Sequence, residues 1–220
     1  MCVYVIGDIH GRFVALCEVI EKMSFDYDRD TLIVLGDVVD GGYDTQKVIE
    51  ELLKIKNCIL VIGNHDLWAL NWMKTGIELP VWVHQGGLAT MRAYGFSYKS
   101  VPDSHIKFLE SGKPYYIDSK GRVYVHGGFN PTKKVEYNDL ETLVWDRQLI
   151  NYILDGNVVD YPHIFIGHTT TQFITKDTKP LTIGNLTLMD TGAGWNGKLT
   201  AMNVDTGEYF QSKLQIANSY

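Results

Sequence analysis

An α/β fold built on a parallel sheet is what this sequence predicts, on three observations. Apolar runs without alternation at 2–6, 31–35 and 58–62 read as strands buried on both faces. The stretches between them carry apolar residues at helical spacing, giving a β-α-β-α-β opening with right-handed crossovers. Each run also ends in glycine plus a ligand-type residue: Gly7-Asp8, Gly36-Asp37 and Gly63-Asn64. Side chains released there stand at the carboxyl ends of strands, where open α/β sheets hold ligands.

The elements follow in order. Cys2–Ile6 is the first strand and runs into Gly7-Asp8-Ile9-His10-Gly11. Phe13, Leu16, Cys17 and Ile20 recur at i, i+3, i+4 and i+7 and predict a helix. Thr31–Leu35 is the second strand, closing in Gly36-Asp37-Val38-Val39-Asp40-Gly41-Gly42, where the glycines let the backbone turn sharply. An amphipathic helix is expected over about 44–54, on Val48, Ile49, Leu52 and Leu53. Cys58–Ile62 is the third strand and ends in Gly63-Asn64-His65-Asp66.

From 67 to about 119 the pattern changes: the segment contains Trp68, Trp72 and Trp82 and carries helical patches at 87–94 and 104–110. The segment reads as a helical insertion over one end of the sheet, positioned as a lid would be, its aromatics packing a small core of their own. Tyr115–Ile117 and Arg122–Val125 predict a hairpin across Asp118-Ser119-Lys120-Gly121, its second strand ending in His126-Gly127-Gly128. Residues 138–155 read as mostly helical, with Trp145-Asp146-Arg147 inside or at a helix start. His163–Ile166 is a strand ending in Gly167-His168, and three more strands are expected at 185–190, 198–204 and 208–213.

The 220 residues, 45% hydrophobic, suit one domain over 1–220 with one sizeable core and that insertion. A net charge of -6 gives no bulk electrostatic footprint for nucleic acid or an anionic membrane. Cys2, Cys17 and Cys58 are odd in number and lack C-x-x-C spacing, as in a reducing compartment. With no signal peptide legible and no membrane-length apolar run, a cytoplasmic location is expected.

Five strands thus end in candidate ligands: Asp8 and His10, Asp37 and Asp40, Asn64 and His65, His126, and His168. The donor set is oxygen and imidazole nitrogen without thiolate, which favours Mn²⁺, Fe or Zn²⁺ over a closed structural zinc site. There are too many donors for one ion. Two ions roughly 3.5–4 Å apart, sharing one carboxylate, would use most of them and leave a pair for acid–base work.

These five motifs, in this order, resemble the calcineurin-like metallophosphoesterases, and within them the phosphoprotein phosphatase branch of bacteria and their phages. The resemblance runs through essentially the whole chain. It implies a four-layer α/β/β/α sandwich of two mixed sheets and a dinuclear centre. Asp8 and His10 would bind the first metal, Asp37 would bridge, and Asn64, His126 and His168 would complete the second. His65, oriented by Asp40, would be the general acid. Arg147 resembles a phosphate-binding arginine, acting with Asn64 on the substrate. The implied reaction is phosphomonoester hydrolysis by a metal-bridging hydroxide, on phosphoserine or phosphothreonine in proteins. Related enzymes sharing the motifs hydrolyse dinucleoside polyphosphates or nucleotide phosphodiesters, which is the second reading. A phosphate-binding module of weak activity is the third.

Two departures stand out. Gly41 and Ile62 occupy positions where the branch usually carries arginine. Losing a preorganised cation from a water-excluded site costs several kcal/mol of transition-state stabilisation. Arg12 and Lys47 lie nearby in sequence but read first as surface charges. His84, His105 and His163 match no motif, and only His84, beside Gln85-Gly86-Gly87, is placed to line a cleft. Asp66 reads as a helix N-terminal residue, Asp190-Thr191-Gly192 as turn-formers, and Asp146 as a surface or supporting carboxylate.

Overall fold

In the computed structural model, which describes residues 1–216, two five-stranded mixed sheets lie face to face between helical layers. The first sheet has the order β10-β9-β1-β2-β3, with β1 Val3–Ile6, β2 Thr31–Val34, β3 Asn57–Leu60, β9 Thr200–Asn203 and β10 Tyr209–Gln211. β1, β2 and β3 are parallel, while β9 runs antiparallel to β1. The second sheet has the order β4-β5-β6-β8-β7, with β4 Tyr115–Ile117, β5 Val123–Val125, β6 Ile164–Ile166, β7 Leu181–Ile183 and β8 Leu186–Leu188. Its three central strands are parallel and both edges antiparallel.

The absence of alternation in the strands has a direct cause. Tyr4, Ile6, Leu32 and Val34 point to the helices, while Val5, Ile33 and Leu35 point to the other sheet, where they meet Tyr124, Phe165 and Met189. Both faces are covered, so both registers are apolar. The outer layer of the first sheet is α1 Phe13–Met23, α2 Thr45–Leu52 and the insertion helices α3 Asn64–Thr75, α4 Pro80–Trp82, α5 Leu88–Ala93 and α6 Asp103–Glu110. That of the second sheet is formed by α7 Leu140–Trp145 and α8 Gln148–Leu154, which bury Leu143, Leu149, Ile150 and Ile153. A short α9 spans Gln172–Thr175.

Several boundaries differ from the sequence expectation. β2 and β3 stop at Val34 and Leu60, because the chain beyond them is already turning toward the site. Val61 instead bridges to Lys113, so the end of the insertion docks beside β3. α3 begins at Asn64, inside the Gly-Asn-His motif, because the Asp66 carboxylate accepts the Gly63 N–H and caps the helix. The expected helix over 138–155 is two helices, since Asp146 is extended (φ -65°, ψ 143°) and turns the chain between α7 and α8. β7 has no counterpart in the sequence expectation: it is three half-exposed residues that lead into β8 through Gly184 and Asn185.

Candidate functional site

Turns after β1, β2 and β3 meet turns after β5 and β6 at one end of the two sheets, around a cleft of about 300 Å³. Asp8, His10, Asp37, Asn64, His65 and His168 line it, with Arg147, Trp145, Gln85 and Asp190. Close approach of the turns demands glycine. A Cβ on Gly63 would stand 2.1 Å from Asp37 Oδ1, and one on Gly167 would stand 2.3 Å from Asp8 Oδ1. Among the described residues seven non-glycines adopt positive φ, and four of them belong to this site: His10 (48°), Asp37 (47°), Asp40 (67°) and His168 (59°).

Asp8, His10 and Asp37 form one cluster of converging donor atoms, and Asp37, His126 and His168 another, so the sequence-predicted bridging residue is common to both. The imidazole tautomers are fixed by backbone carbonyls, which only accept. His126 Nδ1 donates to Leu35 O at 2.6 Å, leaving Nε2 toward Asp37 Oδ2 at 3.3 Å and Asn64 Oδ1 at 2.9 Å. His10 Nδ1 donates to Val39 O at 3.1 Å, leaving Nε2 3.8 Å from Asp37 Oδ2. His168 Nε2 is buried without a partner. Electron-rich atoms converging on shared space, with an orphaned imidazole nitrogen among them, are the arrangement that divalent cations satisfy. The donor chemistry therefore fits the expected metals.

The electrostatics agree. Burial, then the charges of Asp190 and Asp37, raise the Asp8 carboxyl well above its usual range. Burial pulls His10 down to about 4, despite Asp37, and His168 down to about 3, with His126 adding to the fall. Burial works against the Asp37 carboxylate as well, but the surrounding imidazoles His126, His65 and His10 hold it well below the ordinary carboxylate value. His126 shifts the other way, against burial and raised by Asp37, so the ionised Asp37 lies between imidazoles pulled down, His10 and His168, and one pushed up.

Beside this centre His65 Nδ1 is bonded to Asp40 Oδ2 at 2.7 Å, and Asp40 is fully buried. Burial opposes the imidazolium, but Asp37, then the Asp40 hydrogen bond, push His65 up to about 9. Its ring is edge-on to Trp68, which packs on Trp145, which in turn meets the His168 ring at 5.3 Å. The insertion's aromatics therefore divide. Trp72, Trp82 and Tyr94 pack together but join the core on the outer face of the first sheet instead of forming a separate one, whereas Trp68 packs on the His65 and Trp145 rings beside the cleft.

Arg147 is exposed at the cleft wall and forms no ion pair or hydrogen bond through its side chain among the described residues. It is the one Lys or Arg among the lining residues. Arg12 donates to Ala193 O and Gly194 O, and Lys47 pairs with Asp44; neither lines the cleft. Gly41 holds φ 71° with its N–H on Gly86 O, and Ile62 is buried against the turn at Gly112. His84 bonds Pro80 O and lies outside the lining, where its neighbour Gln85 stands instead. His105 bonds Tyr94 and His163 bonds Thr187, both away from the site.

Three residues carry more than the sequence suggested. Asp66 caps α3 but also accepts the N–H groups of Asp37 (2.8 Å) and Val38 (2.9 Å), so it fixes the turn that presents Asp37. Burial, then Asp37, push it up to about 7. Asp190 forms its turn with the Gly192 N–H and also lines the cleft, pushed up to about 6 chiefly by burial. Asp146 accepts the Gln148 N–H and so shapes the turn bearing Arg147. A carboxylate three residues past Gly63 was the available signal for Asp66; nothing in the sequence tied it to the turn at Asp37.

The profile of the calcineurin-like phosphoesterases matches residues 1–193. Serine/threonine-protein phosphatase 1 of Salmonella typhimurium is 26% identical over 211 residues, covering 92% of this chain and 91% of that protein. The symmetrical bis(5'-nucleosyl)-tetraphosphatase of Neisseria gonorrhoeae is 22% identical over 277 residues, covering 96% and 95%. A solved structure provisionally assigned as a diadenosine tetraphosphatase shares the fold at a TM-score of 0.70, with 19% identity over 97% of this chain and 93% of that one.

Proposed function

We propose, from the premise that this chain belongs to the calcineurin-like phosphoesterase family of metal-dependent hydrolases, that it hydrolyses phosphomonoesters of serine and threonine in proteins. The carrying observation is the convergence of Asp8, His10, Asp37, His126 and His168 beside the His65–Asp40 pair and the unpaired Arg147. Asp8, His10 and Asp37 would hold one cation, and Asp37, Asn64, His126 and His168 a second; the nitrogen and oxygen set suits Mn²⁺, Fe or Zn²⁺, and Mn²⁺ is the ion chosen for the tests. When bound, the two cations supply a water made acidic enough to attack near neutral pH and positive charge against the phosphoryl oxygens.

The chain's own residues do the rest. The Arg147 guanidinium suits bidentate contact with two phosphoryl oxygens, and Asn64 offers an amide beside them. His65, held by Asp40 through one ring nitrogen, presents the other to the leaving oxygen and delivers a proton as the P–O bond breaks. Trp145 walls the cleft and Trp68 packs behind it against the His65 ring, limiting water around the developing charge.

Substrate class is tested by a panel of a phosphoserine peptide, a diadenosine polyphosphate and a bis-aryl phosphodiester with Mn²⁺. Peptide turnover at least about ten-fold above the others supports this reading; a diadenosine preference transfers the chain to the second reading, favoured by the full-length likeness to a nucleosyl-tetraphosphatase. Absence of turnover with metal bound would leave a phosphate-binding module.

Metal binding is expected to stabilise the fold, because the ligands come from both sheets. At Mn²⁺ about 100-fold above Kd the gain is about 2.7 kcal/mol. For a chain of this length that is a rise in Tm of about 5–10 °C over the EDTA-treated protein, read by calorimetry. An unchanged Tm at saturating Mn²⁺ would contradict the assigned ligand set.

A further inference from the structure

The Asp40 carboxylate is buried completely and accepts three side-chain hydrogen bonds. His65 Nδ1 and Trp82 Nε1 reach Oδ2 at 2.7 and 2.8 Å, and Thr90 Oγ1 reaches Oδ1 at 2.7 Å. Thr90 Oγ1 also accepts the Asp40 backbone N–H at 2.9 Å, so one hydroxyl clamps both the backbone and the carboxylate of the same residue. Trp82 and Thr90 stand 42 and 50 residues away in sequence, on α4 and α5 of the insertion. Both are 0% exposed.

The segment between them is shaped for this approach. The backbone leaves helical geometry at Gln85 and Gly86 (φ 109°), and Gly86 O accepts the Gly41 N–H. A Cβ on Gly86 would stand 2.8 Å from Gly41 N, and one on Gly87 would stand 2.4 Å from the Trp82 ring. Two glycines therefore let the insertion close onto the Asp40 turn and seat the indole over it. Trp82 is steadied in turn by Trp72, at 5.8 Å between rings.

We infer that Trp82 and Thr90 are positioning residues for proton delivery: the insertion aims the His65 imidazole through Asp40. The inference rests on the reading of His65 as general acid. In the step concerned, water adds its oxygen to phosphorus and gives up a proton to solvent. The ester P–O bond breaks with its electron pair on the leaving oxygen, which takes the proton of His65. Asp40 stays ionised throughout and offsets the imidazolium charge before transfer. A carboxylate free to swing would still pair with His65 but would no longer fix the ring direction, and proton transfer depends on geometry within hydrogen-bond reach. Two of the three donors that stop that swing come from the insertion, whose role is then alignment rather than closure over the cleft.

Leaving-group dependence separates this role from simple packing. Phenyl phosphate expels a basic phenoxide that needs the proton, whereas p-nitrophenyl phosphate expels a stable nitrophenoxide that does not. In Mn²⁺-loaded protein, Trp82→Phe and Thr90→Val are each expected to lower kcat for phenyl phosphate about ten-fold, part of the 10²–10⁴ that a positioned acid supplies. With p-nitrophenyl phosphate the change should stay within about three-fold, and Thr90→Ser should restore the phenyl phosphate rate. Metal content and Tm are measured on each variant, and the Thr90→Val and Thr90→Ser pair carries the test should Trp82→Phe not fold. Equal losses on both substrates, or no loss on either, would overturn the inference. His65→Asn is the reference. A steep leaving-group effect there without one at Trp82 or Thr90 sinks only the positioning role; none at His65 removes the acid assignment and this inference with it.

Discussion

Asp37→Asn is expected to lower kcat/KM by about 10³ or more, equivalent to about 4 kcal/mol of transition-state stabilisation. No other side chain belongs to both clusters of converging donors among the described residues. The amide keeps an oxygen for the His65 backbone N–H, which Asp37 Oδ1 now accepts at 3.0 Å, so the start of α3 should hold its place. What the substitution removes is the charge that His126 and His10 face. Metal analysis after gel filtration should show loss of one or both ions while circular dichroism stays native. A variant that retained two ions and wild-type turnover would end the assignment of Asp37 as the shared ligand.

The second large effect is at the proposed acid. His65→Asn should cut kcat for an alkyl phosphoester by 10²–10⁴ while leaving metal content unchanged, because the loss falls on proton delivery. The sign of the pH dependence follows from the same group. Only the imidazolium donates, so kcat in the wild type should fall as pH rises through its pKa, and that limb should vanish in the variant. The charge of Asp37 is the main cause that pushes His65 up to about 9, against burial. Cations beside Asp37 neutralise that charge, so the limb in the loaded enzyme is expected below about 9. Profiles of kcat from pH 5 to 10 on both proteins decide it; an identical descending limb in His65→Asn would assign the limb elsewhere.

The strands and the candidate ligands were legible for the same reason. A strand buried on both faces must be apolar throughout, and a turn that releases a ligand close to its neighbours must contain glycine. Those two constraints leave continuous marks, as in Val34-Leu35-Gly36-Asp37. The support around the ligands left no such mark. Asp66 looks like any helix-capping carboxylate until the turn at Asp37 is folded against it. Trp82 reads as core of the insertion and Thr90 carries no signal at all, because their partner lies more than forty residues away. Hydrogen bonds of that span depend on tertiary packing, and local periodicity carries no trace of them. β7 was lost for the opposite reason: three half-exposed residues at a sheet edge are too short to show a period.

The left-handed backbone at His10, Asp37, Asp40 and His168 has one more consequence. For a side chain with a Cβ that conformation costs about 1–2 kcal/mol at each position relative to glycine, which adopts it freely. At Asp37 and Asp40 the side chain offsets that cost, because Asp37 Oδ1 holds the His65 N–H and Asp40 accepts three buried hydrogen bonds that glycine would leave without a partner. Selection for heat resistance alone would therefore keep both aspartates, and its pull toward glycine would fall on His168, whose buried Nε2 has no partner to lose.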